Sequence, residues 1–171
     1  MKIFFSIFIG FALFTLANTI LVAQDREVTI ILLRHAEKDL SEKADKSDPE
    51  LTAEGKQRAE RLIKAIGKYR PGVFYSTNFK RTRDTLAPLA KKRGKEVQIY
   101  EAKQPQELIN KMFGSGTKRF VVSGHSNTIP PLANLLIKKD LFKNLDESEY
   151  AVIWLVKMKN GKVTKFELLD Y

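Results

Sequence analysis

The chain has 171 residues, 43% of them hydrophobic, with 30 Lys and Arg against 20 Asp and Glu and a formal net charge of +10. That length suits one ordinary domain with a sizeable core, and the basic balance admits an anionic substrate, a nucleic acid or an acidic membrane surface as partner without choosing among them. The absence of cysteine excludes disulfides, thiolate catalysis, cysteine-based zinc sites and the lipid-accepting cysteine of a lipoprotein signal.

Residues 1–23 read as a secretory signal. Met1 and Lys2 form a short positive start, Ile3 to Leu16 an apolar stretch, and Thr15, Asn18 and Thr19 bring in polarity before a small-residue exit at Ala23. Cleavage there leaves residues 24–171 as a single exported domain, periplasmic or secreted, with no stable membrane association; a cut after Ala17 and an uncleaved anchor are the competing readings.

Val28 to Lys38, VTIILLRHAEK, is an apolar, β-branched run that predicts a buried strand and ends abruptly at Arg34 and His35. Ligands of open α/β sheets bind at the carboxyl ends of strands, so a cation and an imidazole delivered there suggest an anion site. Asp39 to Glu50 is polar and predicts an exposed loop beside that site. Thr52 then suits an N-cap, with Ala59, Leu62, Ile63 and Ile66 at helical spacing and Arg58, Arg61, Lys64 and Lys68 on a solvated face.

Pro71-Gly72 precedes a second short strand, Val73 to Tyr75. The next helix opens near Phe79 with Arg81 in its first turn; Pro88 is expected to kink or shorten it before the basic tail Lys91 to Arg93, which suits the negative end of the helix dipole. Strand three is expected over Glu96 to Tyr100 and a helix over Pro105 to Met112, broken by Gly114-Ser115-Gly116. Strand four, Arg119 to Ser123, repeats the opening pattern and runs straight into Gly124-His125-Ser126. A helix starting at Thr128 to Pro131 buries Ile129, Leu132, Ala133 and Leu136, and its first-turn N–H groups are expected to face His125. Tyr150 to Met158 and Lys162 to Leu169, joined by Asn160-Gly161, form a hairpin. The expected fold is α/β: a mixed, mostly parallel sheet with helices on both faces and a C-terminal antiparallel hairpin.

Arg34, His35, Arg81 and His125 converge on one sheet edge, and both histidines of the chain go there. A two-histidine metal site lacks a third ligand at fixed spacing, and Arg34 would repel a divalent cation. Serine chemistry lacks the G-x-S-x-G elbow and a placed aspartate, and the phosphate-binding glycine loops are absent. Phosphoryl chemistry with histidine as nucleophile remains, without metal or cofactor.

LLRHAEK, LTAEGKQRA at 51 to 59, YSTNFKRTRDT at 75 to 85 and VVSGHSNT at 121 to 128 together resemble the histidine phosphatase superfamily, also called phosphoglycerate-mutase-like. The resemblance implies that His35 carries the phosphoryl group as a phosphohistidine, with Arg34, Arg81, His125 and Ser126 binding the phosphate. Glu101, directly after strand three, lies where the mutase-like branch carries its general acid; Glu37 and Asp84 compete for that role. The family's larger members insert long lids between strands three and four, where this chain has only Glu101 to Thr117. The resulting small cap implies an open site that takes a phosphorylated small molecule or a phosphoprotein. The leading expectation is therefore a metal-independent, histidine acid phosphatase-like phosphomonoesterase. A non-catalytic phosphate- or phosphoprotein-binding module on the same fold is the alternative, and no recognition motif supports nucleic-acid binding.

Overall fold

A computed structural model describes residues 26–171; the expected export signal over residues 1–23 lies outside the described residues. The order is β1 (Glu27–Arg34), α1 (Ala53–Ile66) followed by a 3-10 turn at Gly67–Tyr69, β2 (Val73–Ser76), α2 (Lys80–Lys92), β3 (Val97–Ile99), α3 (Pro105–Gly114), β4 (Arg119–Gly124), α4 (Ile129–Ile137), β5 (Ile153–Lys159) and β6 (Lys162–Leu169). The strands form one sheet in the order β3-β2-β4-β1-β5-β6. β4 pairs parallel with β1 and β2, β2 pairs parallel with β3, and β5 runs antiparallel to β1 and β6. The mixed α/β architecture with its C-terminal hairpin is thus the one the sequence predicts.

A central strand flanked on both sides must bury both of its faces, which explains the unbroken apolar run of β1. Ile30 and Leu32 pack with Leu108 and Met112 of α3 and with Leu132 and Leu136 of α4. Ile31 and Leu33 pack on the opposite face with Leu62 and Ile66 of α1 and with Leu86 and Leu89 of α2. Two helices therefore cover each face.

Local signals act as expected at several points. The Thr52 side chain accepts the Gly55 N–H at 3.0 Å and caps α1. A side chain at Gly55 would bring its Cβ within 2.4 Å of the Glu37 carbonyl oxygen, so glycine is what lets α1 close against the segment after β1. In the hairpin, Asn160 and Gly161 both take positive φ, 51° and 74°, as a type I′ turn requires.

Other expectations are corrected. α2 continues to Lys92 through Pro88, because Leu89 and Ala90 beyond the proline are buried on the sheet and their packing outweighs one lost backbone hydrogen bond. β3 is confined to Val97–Ile99, and β5 starts at Ile153 rather than Tyr150, which belongs to the loop after α4. Arg61, Lys64 and Lys68 are exposed as expected, but Arg58 is not. Its guanidinium forms an ion pair with Glu37 at 2.6 Å and donates to the Tyr171 carbonyl at 2.6 Å, tying α1 to the segment after β1.

Candidate active site

The sheet register creates the site. Arg34 pairs with Gly124 across the parallel β1–β4 ladder, so the next residues, His35 and His125, leave the sheet side by side. Their rings lie 5.4 Å apart between centroids, in an edge-to-face arrangement. The His35 N–H donates to the Gly124 carbonyl at 2.9 Å, extending the ladder one step. Beyond it, the Ala36 N–H donates to the buried Thr85 hydroxyl at 2.9 Å, and that hydroxyl donates to the Arg81 carbonyl at 2.7 Å. Helix α2 thereby fixes the chain on the far side of His35.

His35 Nδ1 lies 2.7 Å from the Ala36 carbonyl. A carbonyl only accepts, so Nδ1 carries the proton and the lone pair of the neutral ring is on Nε2. Burial lowers the His35 pKa to about 3; the fields of Arg81, His125 and Arg34 add to this, against the opposing effect of the Ala36 hydrogen bond. His125 falls to about 4, again through burial first and then Arg81, Arg34 and Lys38. Both imidazoles are therefore neutral at pH 7.

His125 is oriented by a hydroxyl relay. The Thr82 hydroxyl, 2.9 Å from the Thr77 carbonyl and 2.8 Å from that of Phe79, spends its proton on a carbonyl. Thr77 Oγ1 must then supply the proton of its 3.0 Å contact with Thr82, and it accepts from His125 Nε2 at 2.9 Å. Phe79 packs edge-on to the His125 ring at 5.2 Å and lies under the Arg81 guanidinium at 4.4 Å. The expected helix N-terminus contributes differently from the sequence prediction. The Thr128 and Ile129 N–H groups both bond the His125 carbonyl, while Pro130 and Pro131 have none, so the first turn of α4 fixes the His125 backbone and offers no free donors.

Arg34 is fully buried. Its Nη1 faces the carbonyls of Asp146, Glu147 and Glu149 at 2.7, 3.2 and 3.1 Å, its Nη2 meets Glu147 Oε2 at 2.9 Å, and the Tyr150 ring stacks 4.2 Å from its Cζ. Arg81 Nη1 lies 3.7 Å from Asp48 Oδ1, which also accepts the Lys80 N–H at 2.8 Å and so caps α2 from the neighbouring loop. Arg34 Nε and Arg81 Nε and Nη1 are buried without a hydrogen-bond partner among the described residues. Unspent guanidinium donors in a cavity are suited to an oxyanion.

These groups open on a cavity of about 740 Å³, whose wall includes Arg34, His35, Arg81, His125, Glu101 and Ser126. The expected site residues therefore share one cavity, and Glu101 alone of the three acid candidates lines it. Burial pushes the Glu37 carboxyl up, but hydrogen bonds from Arg58 overcome this and hold it below the ordinary carboxylate value. Asp84 lies in a separate depression with Lys56 and Pro88, its pKa raised by burial. The sequence did not point to Thr77, Phe79, Asp48, Glu147 or Tyr150. Thr77 and Phe79 lie inside the YSTNFKRTRDT segment, which is the signal for them, whereas Glu147 and Tyr150 come from a loop without periodicity. No group of three His, Cys, Asp or Glu side chains among the described residues is placed to hold a metal ion.

The sheet order, the paired histidines and the two arginines define a phosphoglycerate-mutase-like α/β fold. A sequence model described as "Histidine phosphatase superfamily (branch 1)" matches residues 30–104. Among solved structures, the mycobacterial glucosyl-3-phosphoglycerate phosphatase is similar with a TM-score of 0.65 at 15% identity, over 85% of this chain and 99% of that one. A putative phosphohistidine phosphatase, SixA, from Agrobacterium tumefaciens is similar with a TM-score of 0.62 at 19% identity, over 82% and 97% of the two chains. Phosphoserine phosphatase from Entamoeba histolytica is similar with a TM-score of 0.63 at 18% identity, over 81% and 96%. No curated protein matches the chain by sequence. Over residues 30–104 the chain thus matches the histidine phosphatase superfamily, and it shares the fold of these phosphatases.

Proposed function

We propose that the protein is a metal-independent phosphatase of phosphate monoesters, working through a phosphohistidine on His35. The observation that carries this reading is the state of His35: a neutral imidazole with its Nδ1 proton bound to the Ala36 carbonyl and its Nε2 lone pair free, beside two arginines. A neutral ring in a positive field is both nucleophilic and drawn to an anionic ester.

In the first step His35 Nε2 attacks phosphorus and the phosphorus–oxygen bond to the alcohol breaks. Glu101, on the same cavity wall, gives the leaving oxygen its proton. Arg34, Arg81 and His125 take up charge on the remaining phosphoryl oxygens, and the dianion raises the proton affinity of His125 by reversing the local field. In the second step water attacks the phosphohistidine and returns a proton to the Glu101 carboxylate. Inorganic phosphate leaves, and His35 is neutral again.

The cavity is wide and carries Asn78, Asn127 and Lys103 on its wall beside the two arginines, which supports a phosphorylated small molecule or a phosphorylated side chain as substrate. The proteins of similar structure carry names of both kinds, a glucosyl-3-phosphoglycerate phosphatase and a putative phosphohistidine phosphatase. Aryl phosphate hydrolysis in the presence of chelator tests the proposal. Turnover should fall at least about 10³-fold in His35→Ala, and an acid-labile phosphoenzyme should vanish with it. Turnover that survives the substitution would overturn it, and saturable phosphate binding without any turnover would favour a binding module.

A further inference from the structure

We infer that Glu147 is an internal stand-in for the substrate's phosphate: its carboxylate occupies Arg34 and Lys38 in the resting site and has to swing out before a phosphate can bind. The identity of the displaced ligand rests on the phosphatase reading of the same cavity.

The Arg34 guanidinium is divided between two tasks. Nη1 has two protons and faces three backbone carbonyls, so it is committed to holding the loop between α4 and β5. Nη2 instead meets a side chain, the Glu147 carboxylate at 2.9 Å, and the neighbouring Nε has no hydrogen-bond partner. Lys38 Nζ lies 3.4 Å from the same Glu147 oxygen. Two cations on one carboxylate oxygen, at the wall of a cavity that also contains His35, is the arrangement a phosphoryl oxygen would take.

The Glu147 side chain can leave without disturbing what surrounds it. It is 70% exposed, whereas the Arg34 side chain is 1% exposed, so the contact is one movable anion on one fixed cation. The loop backbone stays in place through Nη1, through the Leu145 N–H to the Ser126 carbonyl at 3.1 Å, and through the Asp146 N–H to Glu149 Oε2 at 2.7 Å. With Glu147 in, an arriving dianion meets a like charge and finds Nη2 taken. With Glu147 out, it gains Nη2, Nε and Lys38 together. The carboxylate thus weakens binding of any phosphate ligand and, by returning after hydrolysis, helps expel inorganic phosphate.

Titration calorimetry with inorganic phosphate on the full chain, Glu147→Gln and Glu147→Ala tests this without requiring turnover. The dissociation constant should fall about three- to tenfold in both variants, and product inhibition of aryl phosphate hydrolysis should tighten in parallel. Unchanged or weaker phosphate binding in both variants overturns the inference. Tightened binding in a chain that shows no turnover keeps the inference and removes the hydrolytic reading; turnover with unaltered phosphate binding does the reverse. Phosphate binding to none of the three chains overturns both.

Discussion

His35 and His125 meet edge to face, 5.4 Å apart with their planes at 67°, because each is the residue that follows a register pair, Arg34 with Gly124. Parallel pairing of two strands is enough to bring the chain's two imidazoles together, and burial among arginines then keeps both uncharged.

That neutrality has a cost at low pH. In the unfolded chain His35 gains a proton near pH 6.5, but in the fold only near pH 3. Between those values the unfolded state binds more protons, so stability falls as pH falls, by about 1.4 kcal/mol per pH unit for His35 alone. Urea unfolding of the wild-type chain between about pH 6.5 and 4.5 should show a slope to which His35 and His125 both contribute, and His35→Asn should reduce it by about 1.4 kcal/mol per pH unit. Equal slopes would mean that His35 is not buried as a neutral ring.

Glu101→Gln should lower turnover of alkyl phosphates about 10²- to 10³-fold, because their alcohols need a proton to leave. A nitrophenyl phosphate, whose leaving group departs as the anion, should be nearly unaffected. Asp84→Asn, away from the cavity, should change neither rate. Steady-state kinetics on the two ester classes decides, and an equal loss on both would remove Glu101 from the acid role.

A methyl group added at Gly124 would lie 2.8 Å from both Thr128 Oγ1 and the Tyr100 hydroxyl and 2.9 Å from Ile129 Cδ1. Thr128 Oγ1 accepts the His125 N–H at 2.9 Å, so relief of the clash moves the residue that carries the second imidazole. Gly124→Ala is expected to destabilise by about 1–3 kcal/mol and to weaken phosphate binding. Denaturation and calorimetry on the same sample check both.

Removing the carboxylate of Glu37 leaves the Arg58 guanidinium, with a side chain 13% exposed, without its counter-ion. Glu37→Gln should cost about 1–3 kcal/mol in urea unfolding while retaining the alkyl phosphate rate constant. A loss of rate at full stability would instead return Glu37 to the list of proton donors.

The parts of the site that rest on local pattern were legible in the sequence. An apolar run that stops at Arg34-His35, a second that stops at Gly124-His125, and Arg81 one step inside a helix are all set by periodicity and by where strands end. What holds these groups was not legible. Arg34 is enclosed by residues 146–150, and Asp48 reaches Arg81 from a stretch that reads only as an exposed loop, because neither segment has a period to betray its partner. At Pro88 and at the start of α4 the local rule is overridden, in the first case by packing on the sheet and in the second by the carbonyl of His125.

The bonds from Arg34 to the loop before β5 span 112 to 115 residues, and β1 itself lies between β4 and β5, both formed late in the sequence. A growing chain therefore displays the Arg-His pair long before anything exists to enclose it. Closing so long a loop costs chain entropy before any contact repays it, which slows folding and postpones the pocket to its final stage. Loss of the last hairpin would not trim a remote edge; it would leave the strand that ends at Arg34 without a neighbour on one side and the loop that encloses that arginine without its anchor in the sheet.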